Sequence, residues 1–118
     1  MSELDTLASR HCRPLSGPQH RLDDPAVDTA LSHLPTGWER IDNGTALQKT
    51  FRFADYYRTM AFVNALAFVA HRENHHPDLG VHYDRCVIRF STHDCGGITD
   101  NDLVSAAKAE RLFAEAEG

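Results

Sequence analysis

Cysteine is scarce in this chain, basic clusters and long apolar runs are missing, and each shortage removes a class of function. The three cysteines, Cys12, Cys86 and Cys95, are odd in number and lack paired metal-type spacing, so neither a disulfide framework nor a zinc knuckle is written into them. They are expected as free thiols, and with no apolar signal segment opening the chain the expected setting is the reducing cytoplasm. The longest apolar run, Met60 to Ala70, is eleven residues broken by Asn64. That is well short of the roughly 20 that a bilayer requires, so no membrane partner is expected. Twelve Lys and Arg stand against seventeen Asp and Glu, for a net charge of −5. The basic residues are scattered, and direct nucleic-acid binding has no basic face to rest on.

What is present is the profile of one soluble domain: 118 residues, 25% charged and 42% hydrophobic, with no internal repeat. Residues 1 to 22 carry Pro14, Gly17 and Pro18 without apolar periodicity and are expected to form a mobile N-terminal arm, with a single domain over 23–118. Asp24-Pro25 opens a short helix in which Val27, Ala30, Leu31 and Leu34 recur at helical spacing, stopped by Pro35-Thr36-Gly37. Trp38–Asp42 and Thr45–Phe53 flank Asn43-Gly44, the signature of a two-residue hairpin turn. In the second strand Leu47, Phe51 and Phe53 share a face that also holds Lys49, at its solvent edge or as a flaw in the pattern.

Asp55 caps a long helix reaching about Glu73, with one apolar stripe through Met60, Val63, Ala67 and Ala70 and another through Phe62, Leu66 and Val69. A helix apolar on two sides needs two partners, a sheet and either a neighbouring helix or another subunit, and an oligomer is expected. Val81–Thr92 alternates as a strand, with Cys86, Ile88 and Phe90 on one face and a possible interruption at Asp84-Arg85. After Gly96-Gly97, Thr99 and Asp102 are spaced as a capping box for a final helix through Leu103, Ala106, Ala107 and Phe113. The fold class is α+β: an antiparallel sheet of about four strands with helices on one face.

Chemistry concentrates in His75-His76-Pro77, with His93 downstream. Histidine exchanges protons near neutrality, Pro77 cannot continue the preceding helix, and His93 lies just past a strand, so imidazoles converge from element ends. His71, one turn before His75, can face the same cleft, and His82 is a possible further member. His71 and His75 are also at metal-binding helical spacing. The helix should already be ending there, however, no Glu follows His71 as in zinc peptidases, and adjacent histidines rarely share one ion, so no metal is expected. Cys95 beside His93 shows no oxyanion motif and reads as a buried or loop thiol. A lone His near a helix end is more often a cap or a surface group, which is the favoured reading of His71 or His82 taken alone, and His11, His20 and His33 have no comparable company and are background.

His71, His75-His76-Pro77, Tyr83, His93 and Asp102, together with Phe51-Arg52-Phe53, Ala61-Phe62-Val63-Asn64 and Ser91–Gly97, resemble the pterin-4a-carbinolamine dehydratase family across about residues 23–113. The resemblance implies dehydration of 4a-hydroxytetrahydropterin to quinonoid dihydropterin, the recycling step after aromatic amino-acid hydroxylation, with the pterin as substrate and no metal or organic cofactor. It implies His76 and His93 as the acid/base pair, with His75 positioning the carbinolamine and sharing in proton transfer. Pro77 fixes their backbone, and His71, Tyr83 and Asp102 contribute to binding or orientation. Asp102 equally suits the helix cap at Thr99. His71 stands where many members have Glu, and Glu73 cannot replace it because two helical positions turn a side chain about 200° away. Leu79 stands where some members carry an aromatic. The resemblance further implies a homodimer or homotetramer. It also leaves an alternative function, a non-catalytic dimerisation or assembly-chaperone module for a protein partner, as in relatives that assist Rubisco assembly.

Overall fold

The computed structural model describes residues 2–117, with side chains through residue 115. Four helices, α1 (Glu3–Ala8), α2 (Asp24–Leu31), α3 (Tyr56–Glu73) and α4 (Asp100–Glu117), accompany four strands, β1 (Glu39–Ile41), β2 (Ala46–Arg52), β3 (Asp78–Val81) and β4 (Arg85–Phe90). All strand pairings are antiparallel and the sheet order is β1-β2-β4-β3, which is the expected α+β architecture.

Alternation along β2 and β4 sends Leu47, Phe51, Cys86, Ile88 and Phe90 to the buried face, where α3 and α4 cover them. Phe51 is the hub. Its ring lies 6.0 Å from Trp38, 5.2 Å from Phe62 and 5.0 Å from Phe113, joining the β1–β2 hairpin, α3 and α4 in one aromatic cluster. Lys49, on this same face, is not a flaw in the pattern. Its ammonium pairs with buried Glu110, which also accepts from Trp38 Nε1 at 2.8 Å, and it lies 4.9 Å from the Phe51 ring centroid.

The helix caps follow the sequence closely. Asp55 accepts from Arg58 N–H at 2.8 Å to open α3, and Asp23, one residue ahead of the expected start, accepts from Ala26 N–H at 2.9 Å to open α2. Of the box expected at Thr99 and Asp102 one half forms, Asp102 accepting from Thr99 N–H at 2.9 Å, while the Thr99 hydroxyl turns to Thr92. Within the chain α3 is buried along one face only, through Thr59, Phe62 and Leu66, while Phe68 is 66% exposed. The neighbouring helix expected as one possible second partner is α4, whose Phe113 ring lies 6.3 Å from Phe62.

Three local expectations change. The β1–β2 hairpin turns through Asp42–Thr45, four residues rather than two, because Ile41 pairs with Ala46. Asp42, Asn43 and Gly44 all take positive φ there, at 54°, 58° and 80°, so the turn has the chemistry that Asn-Gly favours in a loop two residues longer than expected. The single strand expected over Val81–Thr92 is a hairpin, with β3 before it and a turn at His82–Asp84. β3 escaped notice because Asp78-Leu79-Gly80-Val81 is a short edge strand with no fully buried residue.

Segment 1–22, read as an arm, contains α1, whose Leu4, Leu7 and Ala8 pack partly buried against the core. Six helical residues are too few to show periodicity in sequence. Beyond α1 the chain crosses the C-terminal end of α3. The Glu73 carboxylate, only 3% exposed, accepts from Cys12 N–H at 2.8 Å and from His11 Nδ1 at 2.9 Å, with Lys108 Nζ at 4.0 Å. Burial alone would raise the Glu73 carboxyl, but the His11 and Cys12 hydrogen bonds and the Lys108 charge outweigh it and hold the group below its ordinary range. All three cysteines are free thiols, and burial pushes Cys86 up to about 11.

Two measurements check this account of the packing. Phe51→Ala, which empties the centre of the aromatic cluster, should cost about 3–5 kcal/mol in urea denaturation. Glu73→Gln should cost about 1–3 kcal/mol at neutral pH. Because the folded carboxyl titrates below its unfolded value near ~4.3, the Glu73 contribution is complete above that pH and fades as the pH falls through the folded value. Wild type and variant should therefore converge in stability on acidification.

Candidate active site

The site is built at the C-terminal end of α3. Asn74 takes the left-handed conformation (φ 53°, ψ 41°), its N–H bonds to the His71 carbonyl at 3.2 Å, and the His75 N–H bonds to the Ala70 carbonyl at 3.1 Å. This is a Schellman closure built on Asn, one of the few non-glycine residues that enter this region readily. It ends the helix abruptly and throws His75 inward, and Pro77 two residues later prevents the helix from resuming.

His75 Nε2 meets Asp102 Oδ1 at 2.6 Å, and its ring stacks on Phe90 at 6.2 Å with 11° between planes. The Asp102 side chain is wholly buried, and its other oxygen accepts from Thr92 Oγ1 at 2.8 Å and from Thr99 N–H at 2.9 Å. The Thr92 and Thr99 hydroxyls are themselves 2.8 Å apart. A carboxylate saturated with donors in this way stays in place and fixes the imidazole tautomer, so that His75 donates through Nε2 and leaves Nδ1 available. Asp102 thus hydrogen-bonds both the His75 imidazole and the Thr99 N–H at the start of α4.

His93 is presented differently. Thr92 and Gly97 pair across a narrow neck, Gly96 takes φ 75°, and Cys95 is buried beneath the turn. This pushes the His93 side chain fully into solvent. His76 and His93 line one cleft of about 380 Å³ together with Thr45, Asp78, Arg89 and Ser91. Arg89 donates to Asp78 at 3.2 Å and to Asp42 at 3.1 Å, tying the strand that follows Pro77 to the hairpin loop. A second cleft, about 350 Å³, meets the first at His76 and is lined by His71, His75, Pro77 and Leu79.

Of the expected site residues, His71, His75, His76, Pro77 and His93 surround these two adjoining clefts, with Asp102 immediately behind His75. Tyr83 does not join them. It sits in the β3–β4 turn, 66% exposed, its carbonyl accepting from Thr59 Oγ1 at the opposite end of α3. The apolar wall near the histidines is Leu79 instead. His82 lies in that same turn and is likewise absent from both clefts. Glu73 is turned away from His71, as helical geometry requires, and is occupied by the N-terminal segment. Sequence reasoning missed Thr45 and Arg89, which reach the cleft from the β1–β2 hairpin loop and from β4, while Ser91, in the Ser91–Gly97 stretch already singled out, also lines it. Cys95 is buried, and its thiol is pushed up by that burial and by the Asp94 and Asp102 carboxylates, which suits an anchor and not a nucleophile. Among the described residues no three His, Cys, Asp or Glu side chains gather as metal ligands, and no helix is long and apolar enough to cross a membrane.

Comparison with known proteins identifies the family of the chain. The family model described as pterin 4 alpha carbinolamine dehydratase matches residues 20–112. A protein of Xanthomonas campestris pv. campestris, provisionally named pterin-4-alpha-carbinolamine dehydratase, is 57% identical over 113 residues, covering 96% of this chain and 95% of its own. One from Stenotrophomonas maltophilia with the same provisional name is 56% identical over 112 residues, covering 95% and 96%. Among solved structures, a transcriptional coactivator/pterin dehydratase from Brucella melitensis superposes with a TM-score of 0.74 at 29% identity, covering 78% of this chain and 97% of that one. A pterin dehydratase-like protein described as a RuBisCO assembly factor in the alpha-carboxysome shares the fold, with a TM-score of 0.57 at 24% identity over 65% of this chain and 89% of its own. By its matched residues, its fold and its relatives, this chain belongs to the pterin 4 alpha carbinolamine dehydratase family.

Proposed function

We propose that the protein dehydrates 4a-hydroxytetrahydropterin to quinonoid dihydropterin by histidine acid/base catalysis. The observation that carries this reading is the shared cleft of His76 and His93, two solvent-facing imidazoles on separate backbone segments beside an imidazole locked to a buried carboxylate. The reaction breaks the C4a–O bond, forms the C4a=N5 double bond and releases water. One proton must reach the departing hydroxyl and one must leave N5, so a protonated and a neutral imidazole acting together balance the step. His76 and His93 are the pair, and His75, held at Nε2 by Asp102, orients the carbinolamine and joins the proton transfer. His71 and Leu79 line the adjoining cleft, where a flat ring can rest against the Leu79 and Pro77 side chains. Arg89 and Ser91 offer donors to polar edges of the heterocycle. A volume of about 380 Å³ lies within the usual ~300–1,000 Å³ of small-molecule sites.

A second reading has its own observation. Phe68, Leu79, Val81 and Tyr83 stand 38–81% exposed with Tyr57 along α3, the β3 edge and the turn after it, apolar side chains that the chain itself does not cover. It suits a homodimer or homotetramer, and equally a dimerisation or assembly module working through a protein partner. The Brucella neighbour is described as both a transcriptional coactivator and a pterin dehydratase.

The two readings separate in stopped-flow absorbance with freshly generated 4a-hydroxytetrahydropterin. Wild type should accelerate its decay, and His76→Ala and His93→Ala should each lower kcat/KM by roughly 10²–10⁴-fold with the circular dichroism spectrum unchanged. A folded wild type without acceleration would leave the interaction module as the better reading. Because one imidazole must be charged and the other neutral, kcat/KM should follow a bell in pH, and losing either residue should remove one limb of it.

A further inference from the structure

The family match begins at residue 20, and the chain ahead of it is bound to both sides of the His75–Asp102 pair. Glu73, two residues before His75 and the last residue of α3, receives Cys12 N–H at 2.8 Å and His11 Nδ1 at 2.9 Å. Asn101, the residue before Asp102, receives Arg13 N–H on Oδ1 at 3.1 Å and returns its Nδ2 to the Arg13 carbonyl at 2.7 Å. The Cys12 thiol completes the contact against the Asn101 carbonyl at 3.6 Å and the Ser105 hydroxyl at 3.5 Å. From the same helix, Lys108 Nζ donates to the Ala8 carbonyl at 2.7 Å, holding the end of α1.

Consecutive residues of one extended strand of chain thus grip the segment that carries the imidazole and the segment that carries its carboxylate. The grip also continues past the pair. Gly17 N–H donates to the Asp94 carbonyl at 3.1 Å, next to His93. Between the strand and the pair lies a polar cleft bordered by Arg13, Ser16, Asn74, His75 and Asp94. Glu73 and Asn101 are buried, and their side-chain contacts are spent largely on the arm, which is an unusual use of buried polar groups unless the geometry they fix matters.

We infer that residues 11–13 form a clasp that sets the His75–Asp102 geometry, with Asn101 and Glu73 as positioning residues for the acid/base site. The consequence for rate rests on the dehydratase reading, whereas the consequence for the histidine does not. Without the clasp the C-terminal end of α3 is joined to α4 through the His75–Asp102 contact, the Glu73–Lys108 ion pair and side-chain packing, and His75 Nε2–H spends less time on the carboxylate. A misplacement of this order costs rate without weakening substrate binding uniformly.

The test uses full-length Asn101→Ala, which removes both side-chain bonds to Arg13. Cys12→Pro is its arm-side counterpart, removing the N–H and thiol given to Glu73, Asn101 and Ser105 without touching the packed domain. The proton resonance of His75 Nε2–H should move upfield or exchange away in both variants, with thermal unfolding still cooperative. Where wild type turns over, kcat should fall roughly tenfold with KM within about twofold. Folded variants whose His75 resonance is unchanged would overturn the clasp, and if Asn101→Ala does not fold, Cys12→Pro alone decides. The resonance reads the clasp in the absence of substrate. A wild type without turnover would therefore count against the dehydratase reading only, and a shifted resonance would still support the clasp.

Discussion

A single buried carboxylate holds the working end of this molecule together. Asp102 has no exposure, and a charge so placed is tolerable only where donors surround it. The structure supplies Thr99 N–H, the Thr92 hydroxyl and the His75 imidazole. These three come from the entry to α4, from the strand-end neck before His93 and from the turn after α3. Satisfying Asp102 therefore aligns three chain segments at once, and the two that carry histidines are among them. Stability and site geometry share one constraint here, since a buried carboxylate left short of donors would cost on the order of a few kcal/mol.

The rest of the fold makes that constraint reachable. Strand β4 ends at Phe90, whose ring both belongs to the core and stacks on His75. Asn74 converts the end of α3 into a turn of fixed direction, so the two adjacent histidines diverge, His75 toward Asp102 and His76 toward the open cleft. His93 reaches that cleft from a turn anchored below by Cys95. The candidate site thus combines one imidazole that is held with two that face the open cleft, an arrangement that suits the proposed acid/base chemistry. The N-terminal segment adds a second layer of support to the held imidazole and leaves the free ones uncovered.

Much of this was legible in the sequence because the signals were local. Asp55, Thr99 and Asp102 announce helix starts through cap chemistry, Asn74-His75-His76-Pro77 announces an end, and Cys86, Ile88 and Phe90 alternate as a buried strand face. The histidines of the site could be singled out for the same reason. Less was legible where tertiary context decides. Strand β3 contributes only exposed or half-buried residues, and α1 is too short for a period to register. The four-residue loop after Ile41 depends on strand register, which an Asn-Gly pair alone does not fix. Tyr83 looked close to the histidines because it is close in sequence, yet the β3–β4 hairpin carries it to the far end of α3. Arg89 and Thr45 are in the opposite position, ordinary in sequence and brought to His76 by the sheet. Glu73 and Asn101 gave no signal, because their partners lie some sixty to ninety residues away in the chain.

The central claim is that His76 and His93 flank one pterin site, with His75 held behind them and Tyr83 outside it. The most direct measurement is a nuclear magnetic resonance titration of the full-length protein with unreactive 7,8-dihydrobiopterin, following the imidazole and tyrosine ring resonances. The account predicts saturable shifts at His76 and His93, a smaller change at His75 and none at Tyr83. Shifts confined to Tyr83 and the β3 edge, or binding that leaves His76 and His93 unmoved, would contradict it.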